Sequence, residues 1–179
     1  MSLRWLIFTT LLITYLTWSM PSAAGQGLSI GSPAPDFKLP DLNGKEFKSS
    51  QLTGSIVVLD LWATWCEPCV ADLPMFNRLH EKFRSRGVKV VGVAVESGWA
   101  KDIKPHVTKH SIKYTVLVGN QKTVEQYQMI GFPTTYLIGT DGKIVKKYIG
   151  TIPDTEAQKE ADLNHEIEML LERGSRENN

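Results

Sequence analysis

Apolar residues in this chain fall into short blocks whose spacing changes from one block to the next. Ser55 to Ala63 is a nearly continuous apolar run of strand length, suited to a sheet covered on both faces. Val88 to Val95 repeats that pattern. Between them Val70, Leu73, Phe76, Leu79 and Phe83 recur at helical spacing. They predict one amphipathic helix that opens near Pro68 and ends around Arg86-Gly87. Upstream, Phe37 to Pro40 and Glu46 to Lys48 flank Asn43-Gly44, a strong hairpin signal. Downstream, Trp99 to Ser111 reads as a helix with Pro105 in its first turn or at a kink, and Trp99 is expected to pack it on the sheet. Tyr114 to Val118 is a short strand and Val124 to Met129 a short helix. Thr134 to Ile138 and Lys143 to Ile149 form a hairpin across Asp141-Gly142. The last helix starts at Asp154 or Thr155, with Thr155 to Gln158 as a capping box, runs to about Glu172 and ends at Gly174. Strand, helix, strand, then a helix, a hairpin and a closing helix define one α/β sandwich.

The first 24 residues follow a different rule. Arg4 precedes an apolar run from Trp5 to Met20, followed by Pro21-Ser22-Ala23-Ala24. Ser22 and Ala24 supply the small residues of a signal-peptidase site, so residues 1–24 are read as a signal peptide or an N-terminal membrane anchor. The run is shorter than the roughly 20 residues that a spanning helix needs. Either route places the domain on the outer side of the cytoplasmic membrane, periplasmic or anchored there, where dedicated partners must set the redox state of thiols. Residues 25–35, rich in Gly, Ser and Pro, are expected as a linker, 36–172 as the folded domain and 173–179 as a flexible tail.

Charge adds mainly exclusions. The chain has 20 basic and 19 acidic residues, and Arg4 is the sole charge before residue 25, so the remainder is balanced. No basic field for nucleic acid exists. From Asp154 to Asn179, eight acidic and three basic residues read as the wet face of the last helix. His106 and His110 have metal-pair spacing but no evident third ligand, so they read as surface histidines.

The chemistry lies in Trp65-Cys66-Glu67-Pro68-Cys69, because Cys66 and Cys69 are the chain's two cysteines. A C-x-x-C pair where a strand hands over to a helix forms a thiol–disulfide couple. A structural zinc site needs four ligands, and there is no second cysteine pair. Cys66 at the helix N-terminus is the attacking sulfur, favoured by unpaired N–H groups and the helix dipole. Cys69, one turn deeper, resolves the mixed disulfide. Pro68 suits the first turn. Glu67 disfavours the thiolate and so makes the couple more reducing.

Asp60 is an acid in an otherwise apolar strand, on the face of Ile56, Val58 and Trp62. Desolvation should raise its pKa and let it exchange a proton with Cys69; the alternative is a hydrogen-bonded structural acid. Asp72, three residues beyond Cys69, can face the same pair or be a solvated helical acid. Phe132-Pro133 precedes a strand, and a cis bond there would expose backbone for an extended peptide, although local sequence does not establish it.

The segment Val58 to Cys69, with Gly131-Phe132-Pro133-Thr134-Thr135 downstream, closely resembles the thioredoxin superfamily, and within it the exported ResA/TlpA-type thiol–disulfide oxidoreductases. Gly31 to Phe37, Thr140 to Lys143 and the extra helix and strand between Glu96 and Val118 fit that branch. The resemblance implies a thioredoxin-like three-layer sandwich with an N-terminal β-hairpin and an inserted helix–strand after the second core strand. It implies that Pro133 is cis beside the disulfide, that Trp65 flanks the nucleophile and that Pro74 kinks the active-site helix. Trp65, Glu67, Pro68, Phe132 and Pro133 become the expected substrate-binding residues, with Cys66, Cys69, Asp60 and Asp72 catalytic. Two positions depart from the pattern. Close members usually carry Glu where Asp72 stands, and they often lack the buried acid that Asp60 supplies, so which carboxyl moves the proton stays open. A peroxidase relative is disfavoured because Ala63 stands where peroxiredoxins place Thr.

The leading expectation is an exported reductase of protein disulfides of the cytochrome c maturation type. Apocytochrome c would be a substrate, a membrane thiol protein the electron donor, and the enzyme a monomer with no cofactor or metal. The rivals are a general disulfide oxidase or isomerase of exported proteins, and a Cu(I)-handling protein using the dithiol, which lacks a Met cluster near Cys66.

Overall fold

The computed structural model describes residues 28–150 and 156–177. Strands β1 (Lys38–Pro40) and β2 (Glu46–Lys48) pair antiparallel, with Leu39 opposite Phe47. The Asp41 carboxylate accepts from the N–H groups of Asn43 and Lys45 and so closes the turn around Gly44. There follow β3 (Ile56–Trp62), α1 (Glu67–Phe83), β4 (Val88–Ala94), α2 (Ala100–Lys109), β5 (Thr115–Val118), α3 (Gln121–Gln126), β6 (Thr134–Ile138), β7 (Ile144–Ile149) and α4 (Glu156–Glu177). The main sheet has the order β5-β4-β3-β6-β7. Strands β3, β4 and β5 run parallel, β6 lies antiparallel to β3, and β7 antiparallel to β6. This is the expected thioredoxin-like sandwich with an N-terminal hairpin and the helix–strand unit α2–β5.

The sheet is apolar on both faces because both are covered. Every residue of β3 is buried. One face, with Val58, Trp62, Val90 and Leu137, packs under α1, α2 and α4 through Leu73, Phe76, Phe83, Ile103, Leu163 and Ile167. The other, with Leu59, Leu61, Val91, Val93 and Tyr136, packs under Phe37, Leu39 and Tyr127. Burying one such large side chain stabilises by about 1.5–3 kcal/mol.

Sequence periodicity locates α1 closely. Its apolar stripe is buried except for half-buried Val70, and a short 3-10 turn at Arg84–Arg86 leads to Gly87 at φ 84, where a side chain would be strained. Pro74 sits inside this helix, where it has no N–H to offer the preceding turn.

Five expectations need correction. Residues 31–34 are not a loose linker: Gly31 N–H donates to the Ile144 carbonyl at 2.7 Å and Ala34 N–H to that of Gly142 at 2.9 Å, which ties the segment to the β6–β7 hairpin. Helix α3 begins three residues earlier than expected because the Asn120 side chain caps it, accepting from Thr123 N–H. Trp99 does not pack against the sheet but stands 75% exposed at the N-cap of α2, while Pro105 takes the second of its two expected places, inside the helix past the first turn. Helix α4 runs through Gly174 to Glu177, so most of the expected tail is helical; the capping box at Thr155 lies partly outside the described residues. Lastly, the acidic face of α4 is a seam, not merely a wet surface. Arg78 binds Glu160 through two nitrogens at 2.9 and 2.7 Å, Lys82 binds Asn164 at 2.6 Å, and Arg86 binds Glu168 at 2.8 Å. Each partner advances four residues together, so α1 and α4 run parallel and side by side.

Candidate redox site

The carboxyl ends of β3 and β4 and the start of β6 converge at one end of the sheet, the position where open α/β sheets place their sites. Past β3, Cys66 adopts an extended backbone (φ −86, ψ 102) and becomes the N-cap of α1. Its Sγ accepts the Cys69 N–H at 3.2 Å. The helix therefore begins on a sulfur, with Pro68 in the first turn where no donor is required. Cys66 and Cys69 form a disulfide with an S–S length of 2.05 Å and a Cα–Cα separation of 5.3 Å. Cys66 retains 5% exposure and Cys69 none, so Cys66 is the sulfur a partner reaches first.

The rim comes from two loops. Ser97, after β4, receives the Thr64 N–H on its hydroxyl at 2.9 Å and donates to the Val95 carbonyl at 2.8 Å. The Trp65 indole N–H donates to the carbonyl of Glu96 at 3.0 Å. Glu96 holds φ 50, a conformation that costs a non-glycine residue about 1 kcal/mol or more. Trp65 stays 60% exposed and meets the Phe132 ring edge-on, with centroids 5.0 Å apart. The Phe132–Pro133 bond is cis and Pro133 is buried; its carbonyl accepts from Gly150 N–H at 2.7 Å. Glu67 and Pro68 are exposed beside the disulfide. Trp65, next to Cys66 in the chain, thus touches Phe132 in the loop that carries the cis proline before β6.

The two acids separate. Asp60 is fully buried on the β3 face that also carries Val58 and Trp62, in the layer that holds both cysteines. Thr135 Oγ1, on β6, donates to Asp60 Oδ1 at 3.0 Å, and Oδ2 has no partner among the described residues. Burial pushes its pKa up to about 7; Lys159 and the Thr135 hydrogen bond oppose the rise, and Asp72 adds to it. Across the strand from Asp60 is Gly92. A Cβ there would lie 3.0 Å from Tyr114 Cε2 and 3.1 Å from Trp62 Nε1, so this glycine makes room for both rings.

Asp72 is buried but has a partner of its own. Lys159 Nζ, reaching from α4, binds Asp72 Oδ2 at 2.8 Å, with side-chain exposures of 12% and 8%. The alternative of a solvated helical acid is thereby overturned. Lys159 is the residue of this site that sequence reasoning missed: one of three basic residues in an acid-rich helix, it carried no signal of its own, although its placement one turn into the helix left it free to turn inward. Among the described residues no cluster of three or more His, Cys, Asp or Glu could hold a metal ion, and no helix is long and apolar enough to cross a membrane.

Comparison with known proteins agrees with this geometry. A model described as the AhpC/TSA family matches residues 30–147. The chain is 35% identical over 143 residues to the thiol-disulfide oxidoreductase ResA of Bacillus subtilis, with 79% of each chain covered. It is 32% identical over 154 residues to ResA of Bacillus thuringiensis, covering 81% of this chain and 88% of that one. A crystal structure of a thiol:disulfide interchange protein described as DsbE, from Chlorobium tepidum, superposes with a TM-score of 0.73 at 32% identity, covering 80% of this chain and 99% of the other.

Proposed function

For a chain that belongs to the AhpC/TSA family and is a thiol–disulfide oxidoreductase of the ResA/DsbE type, we propose that catalysis runs in the reductive direction, on disulfides of exported proteins. The observation that carries this reading is the Cys66 N-cap flanked by Glu67. The helix terminus supports a thiolate on Cys66, while the Glu67 carboxylate opposes it and keeps the couple from becoming a strong oxidant.

In the reduced enzyme, the Cys66 thiolate attacks one sulfur of a substrate disulfide. One Cys66–substrate S–S bond forms, and the substrate's own S–S bond breaks, its second sulfur leaving as a thiolate that takes a proton from solvent. Asp60 accepts the Cys69 thiol proton, and the Cys69 thiolate then attacks Cys66 Sγ. The mixed disulfide breaks, the substrate's first sulfur leaves as a thiolate that takes a proton from solvent, and the substrate departs as a dithiol that has gained two electrons, leaving Cys66–Cys69 as the oxidised disulfide. A membrane thiol protein restores the dithiol. Trp65, Phe132 and the backbone beside cis-Pro133 form the face for an extended polypeptide, with Glu67 and Pro68 on its edge. Apocytochrome c, with paired thiols prone to oxidation outside the membrane, is the substrate that the ResA-type resemblance favours. Residues 1–24 direct the domain to that compartment.

Equilibration of the purified protein with defined dithiothreitol ratios gives the reduction potential. A value of about −220 mV or lower is expected. A value near about −120 mV, that of a strong exported oxidant, overturns the reductive direction.

A further inference from the structure

The described part of the molecule contains two buried acids, Asp60 and Asp72, and they are treated differently by their surroundings. Asp72 has a cation 2.8 Å away; Asp60 has a neutral hydroxyl and an oxygen without a partner. The Lys159 ammonium is held in place from several sides. Its nitrogen lies 5.2 Å from the Phe76 ring centre on α1 and 5.9 Å from that of Tyr148 on β7, within reach of the ring faces that attract cations. The Arg78–Glu160 pair on the neighbouring residue fixes the α1–α4 register.

We infer that Lys159 is a positioning residue of the redox site: its ammonium occupies Asp72 and leaves Asp60 as the one buried carboxyl able to take the proton of Cys69. This rests on the proton-relay reading of Asp60 given above. The physical reason is charge balance. A carboxylate deprotonating next to a second, uncompensated carboxylate is opposed by repulsion and the two titrate as a coupled pair. With Lys159 docked, the Asp72–Lys159 unit is neutral, and Asp60 titrates against a pair whose two charges pull it in opposite directions. The other groups around Asp60 are Thr135 from β6 and Tyr114, whose hydroxyl is buried without a partner among the described residues; Gly92 of β4 contributes no charge. Burial, with the charges of Asp60 and Asp72, holds the Tyr114 phenol well above its usual range, so it stays neutral through the pH range in which Asp60 exchanges its proton.

The test is carboxyl NMR titration of Asp60 in the oxidised full chain. Lys159→Met should move the Asp60 midpoint upward, Asp72→Asn should move it downward, and the double variant should return it toward the native value. Lys159→Arg, which keeps the charge, should leave it in place. If the Met variant does not fold, the downward shift in Asp72→Asn carries the test. An Asp60 midpoint near about 7 that no single substitution moves overturns the inference while leaving the relay intact. A native Asp60 that does not titrate in the neutral range overturns the relay reading, and the inference with it.

Discussion

Thr135 on β6 donates its hydroxyl to one oxygen of Asp60 on β3 at 3.0 Å, and this is the hydrogen bond that the buried carboxyl has among the described residues. Both residues are completely buried. One neutral donor is too little to hold a full charge in an apolar layer. The carboxyl therefore keeps its proton to about pH 7, where the unfolded chain would release it near 3.8.

That difference links stability to pH. The group's folded pKa is raised, so its stabilising contribution is complete below the unfolded value and is lost as pH rises through the folded one. From about pH 4 to about pH 8 the loss amounts to roughly 4 kcal/mol. Asp60→Asn removes this slope. Urea midpoints across the range should show the variant gaining on the native protein with rising pH; parallel curves would refute the assignment of the slope to Asp60.

Cys66→Ser should abolish turnover on protein disulfides, since Cys66 is the sulfur with residual exposure. Cys69→Ser should instead accumulate mixed disulfides on Cys66, visible by mass spectrometry. Trapping by the Cys66→Ser variant would reverse the order of attack.

Phe132 supports Trp65 through an edge-on ring contact at 5.0 Å. Such pairs are worth about 0.5–1.5 kcal/mol, so Phe132→Ala should raise KM for a folded protein disulfide by roughly 2- to 10-fold. Reaction with glutathione disulfide, too small to span the rim, should change little. An equal loss on both substrates would show that the ring supports the disulfide itself rather than the docking face.

Gly92→Ala should destabilise the fold by about 1–3 kcal/mol, because the added methyl meets Tyr114 and Trp62 at 3.0 and 3.1 Å. Thermal melts of native and variant protein decide it. A melting temperature unchanged within error would show that the rings give way at no cost.

Most strands could be read from the chain because parallel, doubly covered strands leave unbroken apolar runs such as 55–63 and 88–95, and α1 because its stripe repeats over more than three turns. Cys66 and Cys69 stood out because two cysteines at that spacing have few structural uses. What escaped was set by contacts between distant segments. Asn120 moved the start of α3 through a side-chain cap. The segment at Gly31 to Ala34 gained its order from the β6–β7 hairpin far along the chain. Trp99 was expected to pack α2 on the sheet, yet the turn at Gly98, closed by Asp102 on the Trp99 N–H at 2.9 Å, leaves it at the surface. Lys159 was the deepest omission: spacing shows which residues share a helix face, but not which neighbouring helix that face will meet.

The parallel docking of α4 beside α1 also has a consequence in time. Both cysteines leave the ribosome well before Lys159, which follows Cys69 by about half the length of the chain. Chains are made N-terminus first and domains fold as units. A nascent or truncated chain lacking α4 would thus hold its two thiols, and Asp72 without its cation, before the redox site is electrostatically finished. If Lys159 plays the part inferred above, the charge balance around Asp60 is set only once α4 has been made.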